Sequence, residues 1–511
     1  MSTKGFFGRV TAGPKLPDAD FRKLKDELRV ELVELQQRLR AEAKTPVIIV
    51  LAGVQGAGVV DTLNLLNTWM DPRWIHTHAL DAPSDEERER PPFWRYWRRL
   101  PAAGTIGLYL DGWYGDAIGA ACRKDDKAGA FSARLKRIKA FETMLAADGA
   151  LVIKVWLHLG KAQQRKELDS HRADKLTGFR ASDNSWPQPA PYDAYVKTAA
   201  QALRATSTPE TPWQLVNGAD DNHRRASVLT ILRDAIKAHA KTQRKAAKAA
   251  AKAIKHAKAA DKDPVKARGG ALAKIAFGKA MSDAAYAKAF HDRQATLYAL
   301  QKTARARGLS TIIAFEGWDA AGKGGAIRRL SYALSARNYQ VVPVAAPNDE
   351  EKAYHYLWRF WRHLSRAGHI TLFDRTWYGR VLVERVEHLI PPDAWARAYG
   401  EINDFEEHLT DHGIVLVKLW LHIDADEQLR RFEEREEEPA KQWKITPDDW
   451  RNRKNRKLYE TAISDMIAAT STAAAPWHLV PANDKHKARI LVFDIVIKAL
   501  EKALKASKTG G

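Results

Sequence analysis

The feature that most constrains this chain is an internal duplication at a constant spacing of 264 residues. PSDEE at 83–87 returns as PNDEE at 347–351, FWRYWRR at 93–99 as LWRFWRH at 357–363, and GWYG at 112–115 as TWYG at 376–379. KVWLH at 154–158 returns as KLWLH at 418–422, ATST at 205–208 as ATST at 469–472, and PWQLV at 212–216 as PWHLV at 476–480. Six matches in one register are not chance, so whatever one half folds into, the other folds into as well. The 511 residues therefore hold two copies of one domain of ordinary size. The expected boundaries are 1–236, a connecting segment at 237–270, and 271–511.

Each copy alternates short apolar runs with helical stretches. In the second, STIIAFEG (310–317), YQVVPVAA (339–346), HITLFD (369–374) and IVLVKLWLHI (414–423) read as strands, with helical segments between them. Nearly continuous apolar strands separated by helices imply a parallel sheet covered on both faces. The expected fold is α/β, a three-layer α/β/α sandwich present twice. A charged excursion at 424–466 shows little apolar periodicity, which suits a lid over a site.

The connecting segment is Ala- and Lys-rich. Residues 237–268 hold eleven Lys or Arg against two Asp, supplying +9 of a net charge of +21. It reads either as a solvated, partly helical linker or as an arm that holds a polyanion. The excess of 83 Lys and Arg over 62 Asp and Glu gives the whole chain a field that attracts polyanions. The single cysteine, Cys122, excludes an internal disulfide and a four-cysteine zinc site. MSTKGFFGRV lacks the apolar stretch of a secretory signal, and the longest apolar runs are strand-sized. A cytoplasmic protein without a membrane span is expected.

Gly317-Trp318-Asp319-Ala320-Ala321-Gly322-Lys323-Gly324 fits G-x-x-x-x-G-K between a strand and a helix. Such a loop cradles phosphate with backbone N–H groups, a helix N-terminus and a mobile lysine. Gly324 stands where Ser or Thr normally supplies a hydroxyl to Mg²⁺, so another group must hold the metal. Asp319 is the candidate, unless it only bonds the loop backbone. Asp374 ends an apolar strand as a Walker-B carboxylate does, with Arg375 and Arg380 following as donors for phosphate oxygens. The alternative is a turn carboxylate with surface arginines. The excursion from Arg430 to Lys457 supplies Arg431, Arg435, Lys441, Lys444, Arg451, Arg453 and Arg456, interrupted by the acidic Glu433–Glu438, either as a solvated face or as cations for a transferred phosphoryl group. Trp358, Phe360, Trp361 and His422 read as core.

The register also shows what the first copy lacks. Gly53 and Gly58 match Gly317 and Gly322, but Gln55 stands for Asp319, Val59 for Lys323, Leu110 for Asp374 and Asp111 for Arg375. His171 replaces Arg435 and Thr177 replaces Lys441. Residues 1–236 are therefore expected to be a structural or regulatory pseudo-domain, with anion contacts still open to Arg95, Arg98 and Arg99. Restoring Val59→Lys alone is not expected to revive it.

GWDAAGKGG, DRTWYGR, KLWLHI and the EEPAKQWKITPDDW of the excursion together resemble the polyphosphate kinase 2 family, in both halves and most specifically in the second. The resemblance implies a thymidylate-kinase-like P-loop fold and Mg²⁺-dependent phosphoryl transfer between inorganic polyphosphate and nucleotides. For two-domain members it implies transfer to AMP giving ADP, with the C-terminal domain active. Asp319 and Asp374 would then hold Mg²⁺ and phosphate, and Lys323 the phosphate chain or the transferred group. Arg375 would stabilise the transition state, and Arg435, Lys441 and Lys444 would close over it. Gly317, Gly322 and Gly324 would frame the phosphate, with Arg380, Arg359 and Arg362 near the nucleotide and channel. ADP or GDP as acceptor and a non-catalytic polyanion-binding protein are the alternatives. A homodimer is expected, with no specific nucleic-acid partner.

Overall fold

The computed structural model describes residues 3–11, 13–123, 127–173, 190–260 and 270–507. Each copy builds one five-stranded, wholly parallel sheet. In the first, β1 (Val47–Gly53), β2 (Ile75–Ala79), β3 (Ile106–Leu110), β4 (Leu151–His158) and β5 (Trp213–Asn217) lie in the order β2-β3-β1-β4-β5. In the second, β6 (Thr311–Gly317), β7 (Tyr339–Pro343), β8 (Ile370–Asp374), β9 (Val415–His422) and β10 (Trp477–Pro481) repeat it as β7-β8-β6-β9-β10. The α/β fold read from the apolar runs is thus present twice. The central strands are buried almost throughout, which is why they read as continuous apolar runs.

Two elements differ from the sequence reading. The repeated PWQLV and PWHLV segments are fifth strands, β5 and β10; five residues behind a proline carry too little period to announce one. Helix Arg456–Thr470, which begins in the charged excursion and runs past its end, buries Tyr459, Ala462, Ile463, Met466 and Ile467. That is a helical stripe, so the excursion's last part is core, not lid.

By compactness the chain forms two units, each built mainly on one copy. Pro83–Trp97 belongs to the second unit and Asp349–His355 to the first. Helix Asp221–Ala260 runs through residue 237 without interruption. No helix among the described residues is long and apolar enough to cross a membrane.

A buried polar network recurs in both copies. Lys418, fully buried in β9, donates to Glu406 (2.7 Å), the Tyr378 hydroxyl (3.0 Å) and the Thr470 carbonyl (2.6 Å). The other Glu406 oxygen accepts from Trp377 Nε1 (3.0 Å) and Tyr378 (2.6 Å). Lys154, Glu142, Tyr114, Trp113 and Thr206 repeat every bond. With the charges paired and their hydrogen bonds made, the network ties the turn after the third strand to the sheet.

Candidate active site

Strand order reverses across β6, so the crevice at its C-terminal end is where an open parallel sheet binds ligands. The glycine-rich loop leaves β6 there and enters helix Lys323–Tyr332. Gly317 lies so close to β9 that a Cβ would stand 2.4 Å from the Leu421 carbonyl oxygen, and its φ is +151°. Gly322 caps the helix at φ +102°, a conformation that glycine adopts without steric cost. Gly324 faces open space, so packing does not dictate its lack of a side chain. Trp318 is buried beneath the loop, where its Nε1 donates to His422 Nδ1 at 3.2 Å.

Four charged groups meet at this point. Lys323 Nζ donates to the carbonyls of Gly317 (2.6 Å) and Trp318 (3.1 Å). Burial lowers its pKa and Arg375 adds to that, while Asp319, Asp374 and Glu316 oppose it. Asp374 ends β8 opposite Phe315 of β6, and the next residue's N–H donates to the Phe315 carbonyl at 3.1 Å. Arg375 donates to Asp319 at 3.3 Å. Burial works against the Arg375 charge, but Asp319, Glu316, Asp374 and Asp449 outweigh it and raise the pKa. Asp319, Lys323, Asp374 and Arg375, 56 residues apart at the extremes of the set, are thus brought together by adjacent strand ends.

Beside the loop lies a cavity of about 270 Å³. Arg435, Lys441 and Lys444 line it, as expected from the excursion, against Ala320–Gly322. Lys441 is paired with Glu434 and Glu438, and Arg435 donates to the Lys444 carbonyl at 3.2 Å. Lys485 and Arg489 also line the cavity, and the sequence reading missed both. They sit in the first turns of helix Lys485–Ala506, which has no acidic residue in its first turn. Cations there oppose the helix dipole, and the first copy has Asp221 in place of Lys485. Those two features are the signal that could have found Lys485. Arg431 is part of the wall but is committed to structure: it donates to the carbonyls of Ala320 (2.9 Å), Ala482 (2.7 Å) and Asn483 (2.9 Å).

Three expected arginines are not in this cavity. Arg359 donates to the Ala345 carbonyl at 2.8 Å and Arg362 lies over the Trp358 ring. Arg380 pairs with Glu384 at 2.8 Å and covers the Tyr356 ring. Trp358, Phe360 and Trp361 are core, as read. In the first copy, Arg95 is buried beside Glu87 at 3.5 Å, which removes it as a surface anion ligand. Asn452 was also missed. It donates to Asp319 Oδ2 at 2.8 Å and accepts from the Tyr459 hydroxyl at 3.0 Å, so helix Pro447–Lys454 reaches the site.

Mg²⁺ takes one or two carboxylates and completes its shell with waters and substrate phosphates. Asp319 and Asp374 meet that requirement, since both lie within the field of Lys323 and Arg375 at the mouth of the phosphate loop. No cluster of three or more His, Cys, Asp or Glu suited to a metal occurs among the described residues.

The comparisons agree with this chemistry. The family model described as Polyphosphate kinase 2 (PPK2) matches residues 15–244 and again 280–508. A polyphosphate:AMP phosphotransferase of Pseudomonas aeruginosa is 43% identical over 502 residues, covering 98% of this chain and 100% of that protein. One from Pseudomonas syringae pv. tomato is 40% identical over 505 residues, covering 98% and 99%. A crystal structure from Pseudomonas aeruginosa PA01 that carries the polyphosphate kinase 2 name superposes with a TM-score of 0.86 at 42% identity. That match covers 98% of this chain and 99% of the other.

Proposed function

The chain belongs to the polyphosphate kinase 2 family, and we propose that it transfers the terminal phosphoryl group of inorganic polyphosphate to AMP, giving ADP, in its second copy. The observation that carries this is the meeting of Asp319, Lys323, Asp374 and Arg375 at one sheet edge, beside a cavity walled by cations. Relatives matched along nearly their whole length bear the polyphosphate:AMP phosphotransferase name, which supports the choice of donor and acceptor.

An AMP phosphate oxygen attacks the terminal phosphorus in line, and the bond to the bridging oxygen breaks, leaving a chain shorter by one phosphate. The acceptor is already an anion, so no base needs to remove a proton. The chain's residues position the reactants and stabilise charge. The loop N–H groups and Lys323 hold phosphate oxygens, and Arg375 meets the charge spread over the transferred group. Arg435, Lys441, Lys444, Lys485 and Arg489 draw in the polyanion. Asp319 and Asp374 would hold Mg²⁺, which when bound neutralises charge on neighbouring phosphates. Residues 1–236 serve as a non-catalytic partner domain.

The test is ADP formation from AMP, long-chain polyphosphate and Mg²⁺ without ATP. Turnover is expected. Turnover only with ATP as donor, or only with ADP as acceptor, would replace the proposed specificity, and binding without any turnover would replace the enzyme.

A further inference from the structure

The quartet Asp319, Lys323, Asp374 and Arg375 is missing from the first copy, whereas the Lys418–Glu406–Tyr378 network is kept there bond for bond. The duplication thus separates what the fold needs from what the active copy needs. One further buried group falls on the second side of that divide.

Glu316 is the next-to-last residue of β6, immediately before Gly317, and is 6% exposed. Its Oε1 accepts two hydrogen bonds from Thr376, from the backbone N–H at 2.8 Å and from the hydroxyl at 2.7 Å. The Thr376 hydroxyl oxygen in turn accepts from the Tyr378 N–H at 3.2 Å. Between Asp374 and this clamp sits Arg375, whose φ is +66°, a left-handed backbone uncommon for a non-glycine residue. Burial raises the Glu316 pKa, and the Thr376 bonds and the charges of Lys323 and Arg375 oppose the rise.

The first copy has Ala52 for Glu316 and Gly112 for Thr376. Both partners are absent together. Its turn nevertheless forms, with Asp111 at φ +53° and Gly112 at +50°, glycine supplying the freedom that the clamp otherwise restricts. The clamp is therefore not required to make the turn. It occurs where the turn must hold an arginine against a carboxylate of the phosphate loop.

We infer that Glu316 and Thr376 are a positioning pair for phosphoryl transfer, fixing the Arg375 backbone so that its guanidinium stays at the reacting phosphate. This rests on the role proposed above for Arg375. A loosened turn still binds polyphosphate through the cavity cations but misplaces the guanidinium at the transition state, so the cost falls on kcat more than on KM.

The experiment compares wild type with Thr376→Val, Thr376→Ser, Glu316→Ala and Glu316→Ala/Thr376→Gly, the last installing the first copy's pair. Thr376→Val and Glu316→Ala are expected to lower kcat about 10- to 100-fold, with KM for polyphosphate moving less than about threefold. Thr376→Ser keeps the hydroxyl and is expected to restore kcat to within about threefold of wild type, while the double variant melts near the wild-type temperature without its turnover. If Glu316→Ala does not fold, Thr376→Val against Thr376→Ser decides. Unchanged kcat in the variants, or kcat and melting temperature falling together without rescue by serine, overturns the inference alone. A wild type without turnover overturns the Arg375 reading and this inference with it.

Discussion

The two copies have the same sheet architecture, strand order and buried ion-pair network, yet they differ at the strand ends around the glycine loop. In the second copy Ala488 lines the cavity beside the glycine loop. In the first its counterpart is Arg224, 3% exposed, whose guanidinium lies where a Cβ on Gly58 would stand 2.3 Å away. Arg224 donates to the Gly218 carbonyl at 3.0 Å and pairs with Asp221 at 2.7 Å, so it fills its own loop from within. The first copy has thus lost charges and also placed a guanidinium against its loop. Fold and site are separable: apolar strands and the Lys–Glu network specify the fold, and a handful of polar groups at one edge specify the chemistry.

That separation can be broken by experiment. The largest effect is expected at Arg375. Arg375→Ala should lower kcat for ADP formation on the order of a thousandfold, whereas Asp111→Ala at the matching place should leave it unchanged; steady-state kinetics on the full chain decides. Next come the networks shared by the copies. Lys418→Met leaves Glu406 buried without its partner and should cost about 3–5 kcal/mol, and Lys154→Met should cost the same. Denaturant unfolding, with the signal of each copy followed separately, checks that the two are equal.

The shared strand-end histidines give a smaller effect with a defined sign. Burial holds His158 near a pKa of about 4. His422 is also held near about 4 by burial and by Arg456, with Asp424 opposing. An unfolded histidine takes up its proton near pH 6.5, before either folded one does. Stability is therefore full above about pH 6.5 and is lost as pH falls toward 4, by no more than about 3 kcal/mol per histidine. Replacing His422 by Asn should remove the second copy's share. It should also reduce turnover, because His422 Nδ1 accepts from Trp318 under the loop; His158→Asn should alter stability only. The smallest effect concerns Lys485. Lys485→Ala should raise KM for polyphosphate about tenfold and weaken the salt dependence of binding, by the loss of about one phosphate contact. Asp221→Lys should do nothing comparable, since Arg224 closes that side.

Much of this was legible in the chain. The duplication, four of the five strands in each sheet and the quartet Asp319, Lys323, Asp374 and Arg375 follow from local patterns: apolar runs, a glycine loop, and a carboxylate ending a strand. Residues that act across the fold were not. Lys485 and Arg489 come from the last long helix and Asn452 from a short helix, and only packing brings them to the loop. Glu316 was hidden differently: inside FEGWD it reads as part of a strand end, and its meaning lies in a bond to Thr376, sixty residues on. The register held a clue, because a carboxylate facing Ala52 is the same kind of loss as Lys323 facing Val59. Arg380 follows Asp374 closely in the sequence, and the short turn sets it beside Glu384 and over the Tyr356 ring.

If one copy does all the chemistry, ADP formation from AMP and polyphosphate separates Lys323→Ala from Val59→Lys. Lys323→Ala should fall to background and Val59→Lys should equal wild type. Half-retained activity in Lys323→Ala, or a clear gain in Val59→Lys, would show that the first copy turns over and would contradict a single active copy.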